Sequence, residues 1–266
     1  NWEFRNNGLS DAAFLKLFKY GDKLFAATSG GGVFISSDSG KNWLSKNNGM
    51  EEHLAKYVVS LAINEDKIYA GTMMGIFIST DLGDSWNLIN NGLPKYPFAS
   101  YFVFNKKGEI FVILEDDTEG YNKFYVSKDK GKTWIEKSNN IEDGRYKISF
   151  ASMNDTIIIG AENNLYLSAD FGDTWSKMNN LKDDEWELYS LASFGNELYM
   201  CLGGDVFKST DMGESWINFK PKEYKYGMAN SMTMINNKLI VASDRYFPYL
   251  NPPCIYTSTD FGDNWV

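Results

Sequence analysis

Six copies of one eight-residue motif constrain the fold of this 266-residue chain more than any other feature. The motif reads Ser-x-Asp-x-Gly-x-x-Trp, and successive copies begin 43, 48, 41, 41 and 49 residues apart. A near-constant period of this length indicates a repeat protein in which each copy contributes one supersecondary unit. The copies begin at Ser36, Ser79, Ser127, Ser168, Ser209 and Ser258.

Every copy follows a short strand-like run. An aromatic residue stands two positions before the serine, mostly between aliphatic residues, as in GVFIS and NLYLS; apolar side chains at consecutive positions indicate a strand covered on both faces. Two further apolar runs lie upstream, joined by turns such as Gly21-Asp22 that predict hairpins. A polar strand that often ends in Asn-Asn follows the tryptophan. Four antiparallel strands in about 40 to 45 residues predict one blade of a β-propeller.

The motif itself predicts a turn between the third and fourth strands of a blade. Serine and aspartate side chains can hydrogen-bond the exposed backbone of a tight turn, and glycine adopts the positive φ that other residues resist. The tryptophan begins the next strand with a large apolar surface that covers the hairpin. We therefore interpret the motif as a device that closes a turn.

These residues resemble the Asp-box, or BNR repeat, of sialidases, sortilin-type receptors, xyloglucan-degrading hydrolases and photosystem II assembly factors. The resemblance covers essentially the whole chain and implies an all-β fold, a single β-propeller with an Asp-box at each third-to-fourth strand turn. It places the boxes on outer turns away from the central pocket, so their residues are expected to be structural. These are Asp38, Asp81, Asp129, Asp170, Asp211 and Asp260, Gly40, Gly83, Gly131, Gly172, Gly213 and Gly262, and Trp43, Trp86, Trp134, Trp175, Trp216 and Trp265.

We expect one domain over residues 1–266, with repeats at about 9–49, 50–92, 93–140, 141–180, 181–220 and 221–266. Residues 1–8 read as a fourth strand and are expected to complete the last blade, closing a ring of six. Trp2 and Trp265 then claim the same place in the repeat. A seven-bladed ring is the alternative if the chain is part of a longer one.

Charge and composition argue against several classes of binding partner. The net charge of −9 and the presence of only three arginines argue against nucleic acid, and no apolar run approaches the roughly 20 residues of a membrane helix. Photosystem assembly factors, as the resemblance implies, carry a basic arginine patch, so that role is not favoured. Cys201 and Cys254 are too few for a disulfide framework, and whether they are bonded stays open. We expect no cofactor and no metal; the resemblance alone favours an exported bacterial protein, extracellular or at the cell surface.

A ligand site is expected on the face where the repeat varies. The two longest spacings between successive motifs, 48 and 49 residues, come from insertions in the loop between the second and third strands of a repeat, at residues 115–123 and 243–253. Variable loops on a rigid scaffold commonly carry function. Aromatic rings interleaved with charges suit a glycan or a peptide. The predicted contacts are Tyr96, Asp117, Arg145, Tyr146, Trp186, Tyr224, Tyr226, Arg245, Tyr246 and Tyr249.

The sequence therefore favours a non-catalytic binding or scaffold propeller. The alternative is a glycoside hydrolase with Asp116 or Asp117 opposite Asp184 or Glu185, which requires carboxyl groups about 5 to 10 Å apart. A sialidase needs three converging arginines, and Arg5 falls on an outer strand, so that activity is not favoured. The acidic run at residues 115–119 lacks the spacing of an EF-hand calcium loop, which favours a solvated loop.

Overall fold

The computed structural model describes residues 3–9, 13–115, 122–139, 141, 148–153, 155–161, 164–178, 188–218, 227–236, 238–245, 254–260 and 264. The chain divides into two compact units, Asn1–Ser138 and Asn139–Val266. Within each unit the strands form antiparallel sheets in which neighbours in sequence are neighbours in the sheet. Each sheet is thus a simple meander, as a propeller blade requires.

The first unit holds three four-stranded sheets. Sheet 1 comprises β1 (Ala13–Tyr20), β2 (Lys23–Ser29), β3 (Gly32–Ser36) and β4 (Leu44–Ser45). Sheet 2 comprises β5 (Val58–Asn64), β6 (Lys67–Thr72), β7 (Gly75–Ser79) and β8 (Asn87–Leu88). Sheet 3 comprises β9 (Phe98–Phe104), β10 (Ile110–Glu115), β11 (Lys123–Ser127) and β12 (Ile135–Glu136). A single 3-10 turn, His53–Lys56, links sheets 1 and 2.

The second unit holds two four-stranded sheets and one of three strands. Sheet 4 comprises β13 (Ile148–Met153), β14 (Thr156–Ala161), β15 (Asn164–Ser168) and β16 (Ser176–Met178). Sheet 5 comprises β17 (Leu188–Phe194), β18 (Glu197–Leu202), β19 (Asp205–Ser209) and β20 (Ile217–Asn218). Sheet 6 comprises β21 (Gly227–Ile235), β22 (Lys238–Arg245) and β23 (Cys254–Ser258).

The predicted fold class, an all-β chain of propeller blades, is confirmed by these sheets. An Asp-box lies between the third and fourth strands of each four-stranded sheet, and the sixth box follows β23. Among the described residues no helix has the length and apolarity to span a membrane. That the six repeats close into one domain, with residues 1–8 completing the last blade, stays a prediction.

Stacked sheets build the core of each unit. In the first unit, Phe25 and Ile35 of sheet 1 pack in one buried cluster with Leu61 and Ile68 of sheet 2 and with Trp86. The second and third sheets share a similar cluster, and so do sheets 4 and 5 and sheets 5 and 6 of the second unit. Apolar residues on both faces of the middle strands therefore reflect burial between two neighbouring sheets, as the consecutive apolar positions predicted.

Two kinds of turn share one edge of the sheets. Lys130, in the Asp-box turn of sheet 3, forms a 3.3 Å ion pair with Glu65, in the turn between β5 and β6. In sheet 4 the backbone N–H of Phe171, another Asp-box residue, donates to the carbonyl of Asp155 in the turn between β13 and β14. The loops that vary between repeats start from the other ends of these strands.

Candidate functional site

The Asp-box of sheet 1 shows how the motif closes its turn. The Ser36 hydroxyl donates to Asp38 Oδ1 at 2.8 Å and accepts the backbone N–H of Gly40 at 2.9 Å. The same Oδ1 accepts the backbone N–H of Asn42 at 2.9 Å, while Oδ2 accepts the Asn42 side-chain amide at 2.7 Å. Both carboxylate oxygens are therefore engaged within the turn.

The other boxes repeat these bonds. The aspartates of sheets 2 to 5 accept the hydroxyl and the backbone N–H of the residue just before the tryptophan. Asp260 accepts the backbone N–H and the side-chain amide of Asn264, as Asp38 does from Asn42. The sequence reasoning left that position unassigned, although every copy shows a small hydrogen-bonding residue there. These residues are Asn42, Ser85, Thr133, Thr174, Ser215 and Asn264.

Hydrogen bonding to the charged form lowers the pKa of all six box aspartates. The backbone N–H and side chain of Asn42, with Ser36, lower the pKa of Asp38 to about 2. Ser85 and Ser79 do the same for Asp81, and Asp211 and Asp260 also reach about 2. Burial raises the pKa of Asp129 and Asp170, but hydrogen bonds outweigh it and the net pKa is lowered.

Stability should therefore fall in acid. A group whose pKa is lower in the folded chain stabilises the fold above its unfolded pKa of about 4 and loses that contribution as the pH falls further. We expect the urea midpoint to change little from pH 7 to pH 5 and to drop steeply from pH 4 toward pH 2. Asp81→Asn should flatten this drop relative to the parent chain. A midpoint independent of pH down to pH 2 would contradict the role assigned to the boxes.

The box serine should matter as much as its aspartate. Ser36 is buried, so Ser36→Ala leaves the buried N–H of Gly40 without its acceptor and should lower the free energy of unfolding by about 1–3 kcal/mol. Ser37 is exposed, and Ser37→Ala is the matched control with an expected change within about 0.5 kcal/mol. Chemical denaturation followed by circular dichroism measures both changes. Equal stability of the two variants would disprove the assignment.

The box tryptophans link successive sheets. The Trp86 backbone N–H donates to the carbonyl of Asn48, and its indole Nε1–H donates to the carbonyl of Lys46, both at 2.9 Å. Gly49 follows with a φ of 92°, and a β-carbon there would lie 2.1 Å from the carbonyl oxygen of Trp86. The Lys-Asn-Asn-Gly segment that follows β4 and the tryptophan of the next sheet thus form one clasp.

The same clasp recurs in the first unit. Trp134 donates its backbone N–H to Asn91 at 2.9 Å and its indole N–H to Ile89 at 2.7 Å. Trp43 donates the same two groups to Asn7 at 2.9 Å and to Arg5 at 3.0 Å. The segment Arg5-Asn6-Asn7-Gly8 therefore occupies, on sheet 1, the place that the end of a fourth strand occupies on sheets 2 and 3.

The first asparagine of the segment anchors the third strand of its own sheet. Asn47 Oδ1 accepts the backbone N–H of Val33 at 2.8 Å, and its Nδ2 donates to the carbonyl of Gly31 at 2.8 Å. Asn90 makes the equivalent bonds with Ile76 and Met74, each at 3.0 Å. The repeated Asn-Asn pair thus joins one sheet to itself and to the next.

Most of the predicted ligand contacts lie outside the described residues. Tyr96 is described: it is exposed, has a φ of 59°, and lies with its ring centroid 5.0 Å from the Lys95 ammonium. Arg245 ends β22, and its side chain is not described. The others outside the description are Asp117, Arg145, Tyr146, Trp186, Tyr224, Tyr226, Tyr246 and Tyr249, together with the box residues Gly262 and Trp265. The four carboxylates of the hydrolase alternative are outside it as well.

The structure brings together one group that sequence reasoning missed. The Lys16 ammonium of β1 lies 6.0 Å from the ring centroid of Phe18 and 5.7 Å from that of Tyr101 in β9. Burial lowers the pKa of Lys16, and burial and then Glu115 raise the pKa of Tyr101. The first strands of sheets 1 and 3 thus present a cation close to two aromatic rings, and Lys16, Phe18 and Tyr101 are here called the first-strand cluster. In sequence these residues read as ordinary strand positions.

Cys201 is a buried free thiol, and burial raises its pKa to about 12, which keeps it protonated and unreactive. Within the described part of the chain, no group of three or more His, Cys, Asp or Glu residues is placed to hold a metal ion.

The fold resembles several solved structures. A YCF48 protein bound to D1 peptide has a TM-score of 0.69 and 13% identity, over 89% of this chain and 76% of that one. YCF48 from Cyanidioschyzon merolae has a TM-score of 0.66 and 14% identity, over 88% and 81%. An ancestral GH74 enzyme has a TM-score of 0.67 and 17% identity, and this chain covers 38% of its length. At these identities the likeness shows the fold alone.

Sequence comparison leads to a family. No curated protein sequence matches the chain. A family model, Sortilin-Vps10, described as "Sortilin, neurotensin receptor 3", matches residues 31–164, which is half of the chain and includes the first three Asp-boxes. Because the match covers half of the chain, the chain belongs to the Sortilin-Vps10 family.

Proposed function

We propose that the chain is a non-catalytic binding or scaffold module that recognises a peptide segment of a protein partner. The first-strand cluster carries the proposal, because a cation close to two aromatic rings offers an apolar surface and a charge to one ligand. The likeness to a YCF48 protein bound to a peptide supports a peptide ligand for this fold. The variable-loop face stays the predicted extension of the site.

Two further elements belong to this proposal. A glycan is the second ligand class, because aromatic rings next to carboxylates suit sugars as well as peptides. An extracellular or cell-surface location agrees with membership of a family whose description names a receptor. The hydrolase alternative rests on the loop carboxylates together with a fold that an ancestral GH74 enzyme shares.

Binding of the purified chain to peptide and glycan arrays tests the proposal. Tyr101→Ala should weaken capture of a peptide hit by about tenfold or more, because it removes one ring beside the Lys16 ammonium. Ile135→Ala is the matched control, since Ile135 is exposed on the outer strand of the same sheet. Trp186→Ala and Tyr246→Ala should abolish capture if the loop face contributes.

Two outcomes would refute the proposal. If the chain captures glycans and no peptide, the ligand is a glycan and the proposed recognition of peptides is wrong. Cleavage of a glycan that disappears in Asp117→Asn or Glu185→Gln would establish the hydrolase instead.

A further inference from the structure

The tryptophan of the fifth Asp-box lacks a hydrogen bond that its counterparts in the first unit form. There the indole Nε1–H groups of Trp43, Trp86 and Trp134 each donate to a backbone carbonyl. The Nε1 atom of Trp216 is buried as well, but it has no hydrogen-bond partner among the described residues. A buried N–H without an acceptor has lost its water and gained no bond in exchange. Sheet 5 therefore contains an unsatisfied donor where sheets 1 to 3 contain a clasp.

Met178 occupies the position from which the acceptor should come. In sheet 2 the corresponding residue is Ile89, also three positions after the box tryptophan, and its carbonyl accepts the indole N–H of Trp134. Ile89 follows β8, whereas Met178 is the last residue of β16 and pairs with Leu165 of β15. The pairing of the third and fourth strands is thus one residue longer in sheet 4 than in sheet 2, and the next indole has no acceptor.

The Met178 side chain lies against the same Asp-box as this indole. Its Cε lies 2.9 Å and its Sδ 3.7 Å from the point that a β-carbon on Gly213 would occupy, and Cζ2 of Trp216 lies 3.4 Å from that point. Cζ2 is the carbon of the six-membered ring on the same side as Nε1. Both side chains are partly buried and pack against one apolar cluster of sheets 4 and 5. A thioether and an unpaired indole N–H therefore lie close together beside this glycine.

We propose that Met178 is a site of oxidation by hydrogen peroxide and that the sulfoxide oxygen accepts the indole N–H of Trp216. The thioether sulfur attacks one peroxide oxygen, the O–O bond breaks, and the sulfur is oxidised while the peroxide is reduced to water. The proton of the transferred hydroxyl goes to the departing hydroxide, so methionine sulfoxide and water are the products. Oxidation of a core methionine ordinarily introduces a polar group without a partner. Here the partner is already in place.

The oxidation completes the contact between sheets 4 and 5 in a different way. The sulfoxide oxygen takes the part that the carbonyl of Ile89 has for Trp134, so the oxidised chain should be about as stable as the reduced one. The inference goes beyond the recognition of a partner and does not depend on it.

Peptide mapping by mass spectrometry after brief treatment of the folded chain with hydrogen peroxide tests the first part. Met178 should gain an oxygen atom about tenfold or more faster than Met50 and Met200, because the oxidant reaches a partly buried sulfur more readily than a buried one. Met50 and Met200 are 0% and 1% exposed and serve as internal controls. Equal rates at the three residues, or no oxidation of Met178, would overturn the inference.

The indole N–H signals in the nuclear magnetic resonance spectrum of the isotope-labelled chain test the second part. The Trp216 signal is the one that is absent from Trp216→Phe. After oxidation it should move downfield and exchange more slowly with solvent, because the N–H has gained an acceptor. The Trp86 signal is the control and should stay unchanged, since that N–H already donates to a carbonyl. An unchanged Trp216 signal in a chain oxidised at Met178 would refute the hydrogen bond.

Urea denaturation before and after oxidation gives a third measurement. The folding equilibrium constant of the parent chain should change by less than about threefold, whereas that of Trp216→Phe, which keeps a ring but lacks the N–H, should fall by about tenfold or more. Met178→Ile, with the residue that sheet 2 has at this position, is the matched control and gives the effect of oxidising the other methionines. A loss in the parent as large as that in Trp216→Phe, each corrected by this control, would contradict the proposal.

Discussion

Replacing Trp86 by alanine is expected to lower the free energy of unfolding by about 3–5 kcal/mol. The indole is only 3% exposed and packs in the cluster that joins sheets 1 and 2. Its removal opens a cavity between the sheets and leaves the carbonyl of Lys46 without its indole donor. Because one side chain provides both the packing and the hydrogen bond, the effect should exceed that of any change within an Asp-box turn.

Trp86→Phe separates the two contributions. Phenylalanine keeps most of the apolar volume but lacks the indole N–H, so we expect a loss of about 1–3 kcal/mol, smaller than for alanine. Leu88→Ala, at an exposed residue on β8, is the control and should change stability by less than about 1 kcal/mol. Urea denaturation followed by far-ultraviolet circular dichroism measures all three. A Trp86→Ala variant as stable as Leu88→Ala would disprove the clasp as a stabilising contact.

The sequence predicted the blades because their determinants are local and repeat. Each third strand is apolar on both faces, each box contains its own turn residues, and each Gly or Asn turn closes a hairpin. The period then fixes how many strands each copy supplies. These features depend on residues a few positions apart, so that one copy explains the others.

The clasp was not predicted because it joins residues of different repeats. The first asparagine of Asn-Asn-Gly bonds within its own sheet, whereas the carbonyl of the second asparagine accepts the N–H of the next tryptophan. The recurrence of Asn-Asn-Gly at residues 6–8, 47–49 and 90–92 was the available signal. To predict the clasp from this repeated Asn-Asn-Gly, one must know which sheets lie next to each other, and the spacing of the motif alone does not show this.

The first-strand cluster was missed for a related reason. Lys16 and Tyr101 belong to strands of two different sheets, and an alternating pattern does not distinguish a side chain facing another sheet from one facing a ligand. For the predicted loop contacts the difficulty is different. The insertions in the sequence show which loops vary, but where the aromatic side chains of these loops lie depends on the path of the loop backbone, which no local rule specifies. The box carboxylates, by contrast, are engaged by hydrogen bonds within their turns, as the motif predicted.

Gly49→Ala should be nearly as damaging as the loss of the indole, although it adds only one methyl group. Gly49 has a φ of 92°, and its new β-carbon would lie 2.1 Å from the Trp86 carbonyl oxygen, so the clasp must open. We expect a loss of about 2–4 kcal/mol in the free energy of unfolding.

Gly21→Ala is the matched control for Gly49→Ala, because Gly21 also has a positive φ, 56°, but a β-carbon there meets no atom within 4 Å. That variant shows the cost of the left-handed backbone alone, about 1 kcal/mol. Urea denaturation of the two variants side by side isolates the steric conflict with Trp86 as the difference between them. Equal losses would mean that the close approach of Gly49 to Trp86 contributes nothing, and that the two sheets are held together by their buried side chains without the clasp.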